Sequence, residues 1–572
     1  MKHPVTSSFL TASIGLCLTT GAHASYQPAM AADPITTWTP YADTGGAAPL
    51  KHSGAGVATS FVGFTAPVIF GDLASVGSTQ IAFKGYMARA GTVATANDEG
   101  IWSNADPTAS GSSGSSIWMV AQEGDNVTGA GLLGFGGSMT VKALQTTTYG
   151  GTLFNTNSNA NIAPNFSVYE GGGLTGLAGA GLVGFPNGGL AVAAHARIAV
   201  WTTDGTNDGT RAWDVSIGSP GSPHTVTPAP PSAIHWSLAA NPRVQCSPAI
   251  SYYGAVAHRA RSLPSSGLPW DKRDYIEAVP LVSGGFFLSP VTVVRAGDPA
   301  PTGEIFGIFH PVLMAIAGGP NIAPTVAWQM STMNAGETSG STLGLSIPYG
   351  TPMPHSNSLW CWRPGANPYA EIARAGQAAS EITGRTIKSF YALHLVDDDT
   401  TWPNSVVFYG AILDNGKYAI YLREISGSTG PVLGTDQLIA TDAGGPPGMD
   451  VPAIYGPPAI TYPIASLYPW FSVDIFGNVL MKATLGGAVQ PGQKQCLLSA
   501  KRGPDAHGLR MRAQSNSTTV SLPTLSHGVQ PITNFTINAH EQGTMGRGQS
   551  IFEQTVGALI SFPGGSGIFA GF

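Results

Sequence analysis

The chain has 572 residues, with 26 Lys+Arg against 32 Asp+Glu and a formal net charge of −6. Its charged fraction of 10% is far below the ~25% of an ordinary soluble domain, and the small negative net charge gives no basic footprint for nucleic acid. The 75 Gly and 44 Pro starve helices and favour turns, while 43% hydrophobic residues suffice for a large buried core.

In chain order, the first element reads as an export signal over residues 1–24. Lys2 and His3 precede a mainly apolar stretch over 9–18, and Ala22-His23-Ala24 gives the small-x-small pattern before a cut at Ser25. Ala29-Met30-Ala31 offers a second cut of the same form. The expected location is therefore secreted, extracellular or periplasmic. No later segment supplies the ~18 unbroken apolar residues of a spanning helix; the run over 459–476 is broken by Pro463, Pro469 and Asp474. No transmembrane helix is expected in the mature chain. Cys246, Cys361 and Cys496 remain after the signal, an odd number without close pairs, which reads as buried small hydrophobes.

From residue 75 onward a short phrase recurs, a β-type run followed by a Gly-centred turn. It reads IWMVAQEGD up to Asp125, VTVVRAGDPAPTG from Val291, AEIARAGQ from Ala370, QLIATDAGGPPG from Gln437 and CLLSAKRGPDAHG from Cys496. Between these phrases lie strand-like runs such as QIAFKGYM from Gln80, YGAVAHRA from Tyr253, SVVFYGAIL from Ser405 and GNVLMKATL from Gly477. In Leu359-Trp360-Cys361-Trp362, period-2 alternation sends both indoles to one face and Cys361 to the other. Repeated units of four short antiparallel strands predict an all-β fold, a β-propeller of about seven blades spanning 75–572. The units fall near 75–140, 141–245, 246–318, 319–396, 397–458, 459–515 and 516–572. The second is enlarged by a Gly-rich stretch from Gly171, and the segment 25–74 is available to close the ring.

Two of these motifs carry a resemblance. Arg295-Ala-Gly-Asp-Pro-Ala-Pro-Thr-Gly303 and Gly477-Asn-Val-Leu-Met-Lys-Ala-Thr-Leu485 resemble the secreted bacterial tandem-repeat proteins with alternating NxxGxVxFxAxL and AxxGDxxPG motifs. Val200-Trp201-Thr-Thr-Asp204-Gly205-Thr-Asn-Asp208-Gly209-Thr210 resembles the ELWxxDGT repeat of exported propeller-like proteins. Gln377 and Gly445 stand where the first pattern expects Asp. The resemblance implies architecture and export, and no catalytic positions.

Two residues before the turn Gly, most phrases carry a long polar side chain: Gln122, Arg295, Arg374 and Lys501, with Asp442 the exception. Alternation explains these as outward residues beside inward small ones. A ring of them on one face would instead form a binding surface for an anionic glycan or other extracellular polymer. Asp204 and Asp208 alternate with a Gly at the sixth place, like the first half of a calcium loop, but Val215 stands where the closing Glu belongs. No cofactor is expected, with calcium at Asp204 and Asp208 the alternative to a plain hairpin turn. Asp397-Asp398-Asp399 is a further carboxylate cluster, either solvated or a cation site.

G-x-S-x-G, H-E-x-x-H and C-x-x-C are all missing. His195, His258 and His540 lie in or beside strand-like runs and would matter only if the fold brought them together. Carboxylates available for sugar hydrolysis are Asp125, Asp298, Glu371, Asp474 and Glu541. The sequence therefore reads as an exported propeller-type binding or surface-associated protein. The alternative is an extracellular hydrolase or lyase acting on a polymer such as a polysaccharide.

Overall fold

The computed structural model describes residues 34–50, 59–71, 79–103 (except 90, 92 and 94–96), 117–122, the strands between 140 and 287, 291–318, 324–334, 356–397, 404–445, 450–452, 461–474, 477–500, 509–522, 528–538, 550–552 and 555–571. Among these residues every regular element is a strand, and seven antiparallel sheets hold four to six strands each. The protein is an all-β propeller.

Sheet four shows the plan most simply. Its strands Ile305–Ala317, Thr325–Met333, Ser356–Trp362 and Tyr369–Arg374 pair in chain order. Sheet three follows it with Ala249–Ile250, Val256–Arg261, Asp274–Val279 and Val291–Arg295. Sheet five is built from Ile387–Asp397, Ser405–Leu413, Tyr418–Ser426 and Gln437–Thr441. Sheet six is built from Ile464–Val473, Val479–Leu485, Gln495–Ala500 and Arg510–Gln514. In sheet one the first strand is in two pieces, Thr59–Phe64 and Val68–Gly71, before Thr79–Met87, Glu99–Ser103 and Trp118–Gln122. Sheet two places Thr140–Val141 and Phe166–Gly171 along Leu174–Gly184, then Ala196–Thr202 and Gly209–Trp213.

Sheet seven takes three strand positions from the C-terminal region and one from the N-terminal region. Asn534–Thr536 and Ile551–Phe552 pair with Thr555–Phe562, which pairs with Gly565–Gly571. The fourth strand is Trp38–Asp43, running antiparallel with Trp38 opposite Gly571 and Asp43 opposite Gly567. First strands of neighbouring sheets lie against one another around a common axis: Ala249–Ile250 meets Ile305–Ala317, which meets Ile387–Asp397, which meets Ile464–Val473. On the other side Val68–Gly71 touches both Phe166–Gly171 and Ile551–Phe552.

The core lies in the seams between sheets. Trp328, Trp360 and Trp362 fill the seam between sheets three and four with Phe306 and Val294, the Phe306 and Trp360 rings meeting edge-on at 5.0 Å. Leu359 and Cys361 point the other way, into the continuous core of sheets four, five and six. Burial of Cys361 pushes its thiol up to about 12, so it packs as a hydrophobe and is no nucleophile.

The turn phrase is a blade-to-blade staple. Gly297 and Gly376 take φ of 85° and 90°, a left-handed backbone that side chains with a Cβ adopt at a cost. Their amides donate to the carbonyls of Phe306 and Ile387 at 2.7 Å, and the amides of Phe306 and Ile387 return to Asp298 and Gln377 at 2.8 and 2.9 Å. The same exchange recurs at Gly45, which donates to Phe61 at 2.8 Å, and a variant of it at Asn516, which donates to Ile532 at 2.8 Å while the Ile532 amide returns to Thr518 at 3.0 Å. Sheet seven therefore carries its own copy of the phrase in Tyr41-Ala42-Asp43-Thr44-Gly45-Gly46, and sheet six carries one in Gln514-Ser515-Asn516 with Asn at φ 55°.

The first strands also share a defect. Pairing jumps from Phe309 to Met314 in sheet four and from Leu467 to Phe471 in sheet six. Pro311 and Pro469 sit inside these bulges, and Pro67 separates the two pieces in sheet one. Proline lacks the N–H that a ladder needs, so it is tolerated where pairing is already broken.

Candidate functional site

The described polar positions of the turn phrase make contacts within the fold. Gln122, Arg295 and Arg374 each end the fourth strand of their sheet. Gln122 is buried and donates from Nε2 to the carbonyl of Asn97 at 2.7 Å. Arg295 lays its guanidinium over the Tyr275 ring at 4.4 Å, and its amide donates to Asp298 Oδ2 at 2.9 Å. Arg374 donates through Nη2 to Glu304 Oε2 at 2.8 Å and through Nε to Glu371 Oε1 at 2.7 Å. The Arg374 guanidinium holds the Glu304 carboxyl down at about 2. Gln377 accepts from the Arg374 amide at 3.0 Å, doing with an amide oxygen what Asp298 does with a carboxylate. Lys501 lies outside the described residues. It follows Ala500, the end of a third strand, so its phrase sits on a different strand from the other three.

The nominated carboxylates are also engaged. Asp474 is fully buried and accepts from the Asn478 amide at 2.8 Å and its Nδ2 at 2.7 Å, closing a hairpin. Asp442 bridges sheets five and six, accepting from the amides of Tyr418 at 2.7 Å and Leu467 at 3.1 Å. Asp298 caps its own turn, and Glu371 belongs to Arg374. Asp125, Glu541, Asp204, Asp208, Asp398, Asp399, His195 and His540 lie outside the described residues. His258 stands opposite Glu277 in sheet three. Among the described residues no group of three His, Cys, Asp or Glu is placed to hold a metal ion, and no helix is long and apolar enough to cross a membrane.

A different constellation emerges where each second strand passes the bulge of the first. Lys84 in sheet one, Gln329 in sheet four and Lys482 in sheet six occupy this position. In each sheet the diagonal neighbour on the third strand faces the same way: Glu99, Asn357 and Gln495. Lys84 Nζ pairs with Glu99 Oε2 at 2.7 Å, and Gln329 Nε2 donates to Asn357 Oδ1 at 2.8 Å. Lys482 has only the neutral Gln495 in that place. Its Nζ instead donates to Asn534 Oδ1 of sheet seven at 2.6 Å and stands 4.2 Å from the centre of the Tyr468 ring.

The seam around Lys482 is half-buried, with Tyr468, Trp470, Lys482, Gln495 and Asn534 all of intermediate exposure. Leu480, Leu497, Phe535 and Ile560 close it from below, and Trp470 packs against them. Gln495 donates to the Tyr468 hydroxyl at 3.5 Å, while Gln495 Oε1 and Trp470 Nε1 are buried without a hydrogen-bond partner. Burial brings the Lys482 ammonium down to about 8, and among the described residues no carboxylate pairs with it. The sequence reading passed over Lys482, although QIAFKGYM and GNVLMKATL, aligned with each other, put Lys84 and Lys482 at one position.

No family model and no curated protein sequence matches the chain. Among solved structures it is similar to the α-L-arabinanase of Penicillium chrysogenum complexed with arabinobiose, at 11% identity over 58% of this chain and 93% of that one, with a TM-score of 0.25. The Trypanosoma rangeli sialidase in complex with the inhibitor DANA matches at 9% identity over 71% and 54%, with a TM-score of 0.30. The Dos1 propeller matches at 8% identity over 89% and 95%, with a TM-score of 0.30. Similarity this slight assigns no activity, and the propeller assignment rests on the sheet topology.

Proposed function

We propose that the protein is an exported β-propeller that binds an extracellular polymer, with an anionic glycan as the ligand class. The observation that carries this reading is the contrast between its carboxylates and the Lys482 seam. The described carboxylates nominated for acid–base work are consumed by turns and ion pairs, whereas a cation, two aromatic rings and two side-chain amides gather in one partly exposed seam. Hydrolysis of a glycoside most often uses two carboxyl groups facing one bond; recognition needs a shaped surface with a few convergent polar groups. The Ala22-His23-Ala24 pattern supports export, and the resemblance to secreted tandem-repeat proteins belongs to the same reading.

The test is calorimetric titration of the purified mature chain with polygalacturonate and with a neutral arabinan, alongside a reducing-end assay on both. Binding without release of reducing ends is expected. Catalytic release of sugar ends would replace the binding reading with the hydrolase or lyase alternative.

A further inference from the structure

We infer that the seam between sheets six and seven is the subsite for a monoanionic group carried on a sugar ring, with Lys482 as its counter-ion and Gln495 and Asn534 as its polar neighbours. The inference rests on the proposed glycan-binding reading and names where the ligand's charge is held. Its strongest support is internal to the chain. Three sheets present the same diagonal pair opposite the same bulge: an ion pair in sheet one, an amide pair in sheet four, and a cation beside a neutral amide in sheet six. The first balances its charge within the protein and the second carries no charge, although Gln329 Oε1 and Asn357 Nδ2 stay without a partner. In the third the charge is left for an outside group to neutralise.

A half-buried ammonium without a carboxylate is costly for the fold. Asn534 Oδ1 accepts one of its three protons, and the Tyr468 ring contributes a cation–π contact; neither supplies a negative charge. Gln495 Nε2 and the Tyr468 hydroxyl, 3.5 Å apart, add neutral polar groups suited to the hydroxyls that flank an acidic group on a sugar. A single positive charge matches a carboxylate or a sulfate ester. A phosphate dianion would bring a second charge into the seam unpaired.

Two variants separate the site from the fold. Lys482→Met removes the charge, and Gln495→Glu gives sheet six the carboxylate that Glu99 supplies in sheet one. Each is compared with the wild type by calorimetry using a trigalacturonate, a neutral galactose trimer and a sulfated galactan trimer, with circular dichroism and thermal melting confirming the fold. Both variants are expected to weaken trigalacturonate by about tenfold or more, while the neutral trimer stays within about twofold. Loss for the uronate alone identifies a carboxylate site, and equal loss for the sulfated trimer identifies a general monoanion site. If both variants fold and bind the uronate as the wild type does, the seam is not the subsite although polymer binding stands. If the wild type binds none of the three trimers or the polymers, the glycan reading itself fails and the subsite with it.

Discussion

At the scale of single residues, the turn phrase separates conformational need from chemical need. Gly376 at φ 90° has open space where a Cβ would stand, so its substitution is strained by backbone conformation and not by crowding. Gly376→Val should cost about 1–3 kcal/mol. Gly376→Asn should cost less than about 1 kcal/mol, because Asn tolerates left-handed backbone and Asn516 already fills the equivalent place. Denaturant titration of the two variants gives the comparison. Glu304 sets a pH signature of a different kind. Its carboxyl is held at about 2 by Arg374 against an ordinary value of 4.5, so the native state binds fewer protons than the unfolded state between these values. The stability this confers is complete above about pH 4.5 and is lost as pH falls toward 2. Glu304→Gln should therefore lower the melting temperature at pH 7 and flatten its decline between pH 5 and 2. An outward, solvated Arg374 was the natural reading of alternation. Proximity to Glu304, 70 residues away, lies beyond any local pattern.

The element scale shows why some of the site was readable and some was not. Alternation in Leu359-Trp360-Cys361-Trp362 translates directly into two seams, because strand period is a local property. The bulges are tertiary: they open where first strands crowd around the axis, and the side chain that faces each bulge finds its partner on another strand of its sheet at Lys84 and Gln329 and in the neighbouring sheet at Lys482. Lys482 thus reads in sequence as one polar residue in an apolar strand, and only the Asn534 contact and the Tyr468 bulge reveal it. Sheet five solves the same crowding with a glycine. There Tyr391 fills the bulge, its ring packed edge-on against Tyr418 at 5.4 Å, and a Cβ on Gly410 would lie 2.4 Å from the Tyr391 ring. Gly410→Ala should destabilise by about 1–3 kcal/mol through overpacking, although the position is an ordinary mid-strand residue by sequence. Thermal melting of this variant beside Gly376→Val would show two glycines required for unrelated reasons.

For the molecule as a whole, the all-β propeller class was legible from recurrence of strand and turn, while the phase of the repeat was not. The phrase of sheet seven stands at Tyr41–Gly46, ahead of every other copy, because the strand that completes the last sheet comes first in the chain. Trp38 is 5% exposed in the core between sheets six and seven, and Trp38→Ala should cost about 3–5 kcal/mol. Removing residues 34–43 altogether should leave Gly565–Gly571 with an unpaired edge, and light scattering should then detect association that the full chain does not show. The same closure has a kinetic side. Thr44 and Ser566 exchange hydrogen bonds across 522 residues of chain, so this contact forms only after a very long loop has been brought together. The neighbouring sheets join through much shorter segments, as between Arg295 and Ile305 or Arg374 and Ile387, and have no reason to wait. Until the last strand arrives, the first stays without a partner, an adhesive edge that a partly formed ring must keep from its neighbours.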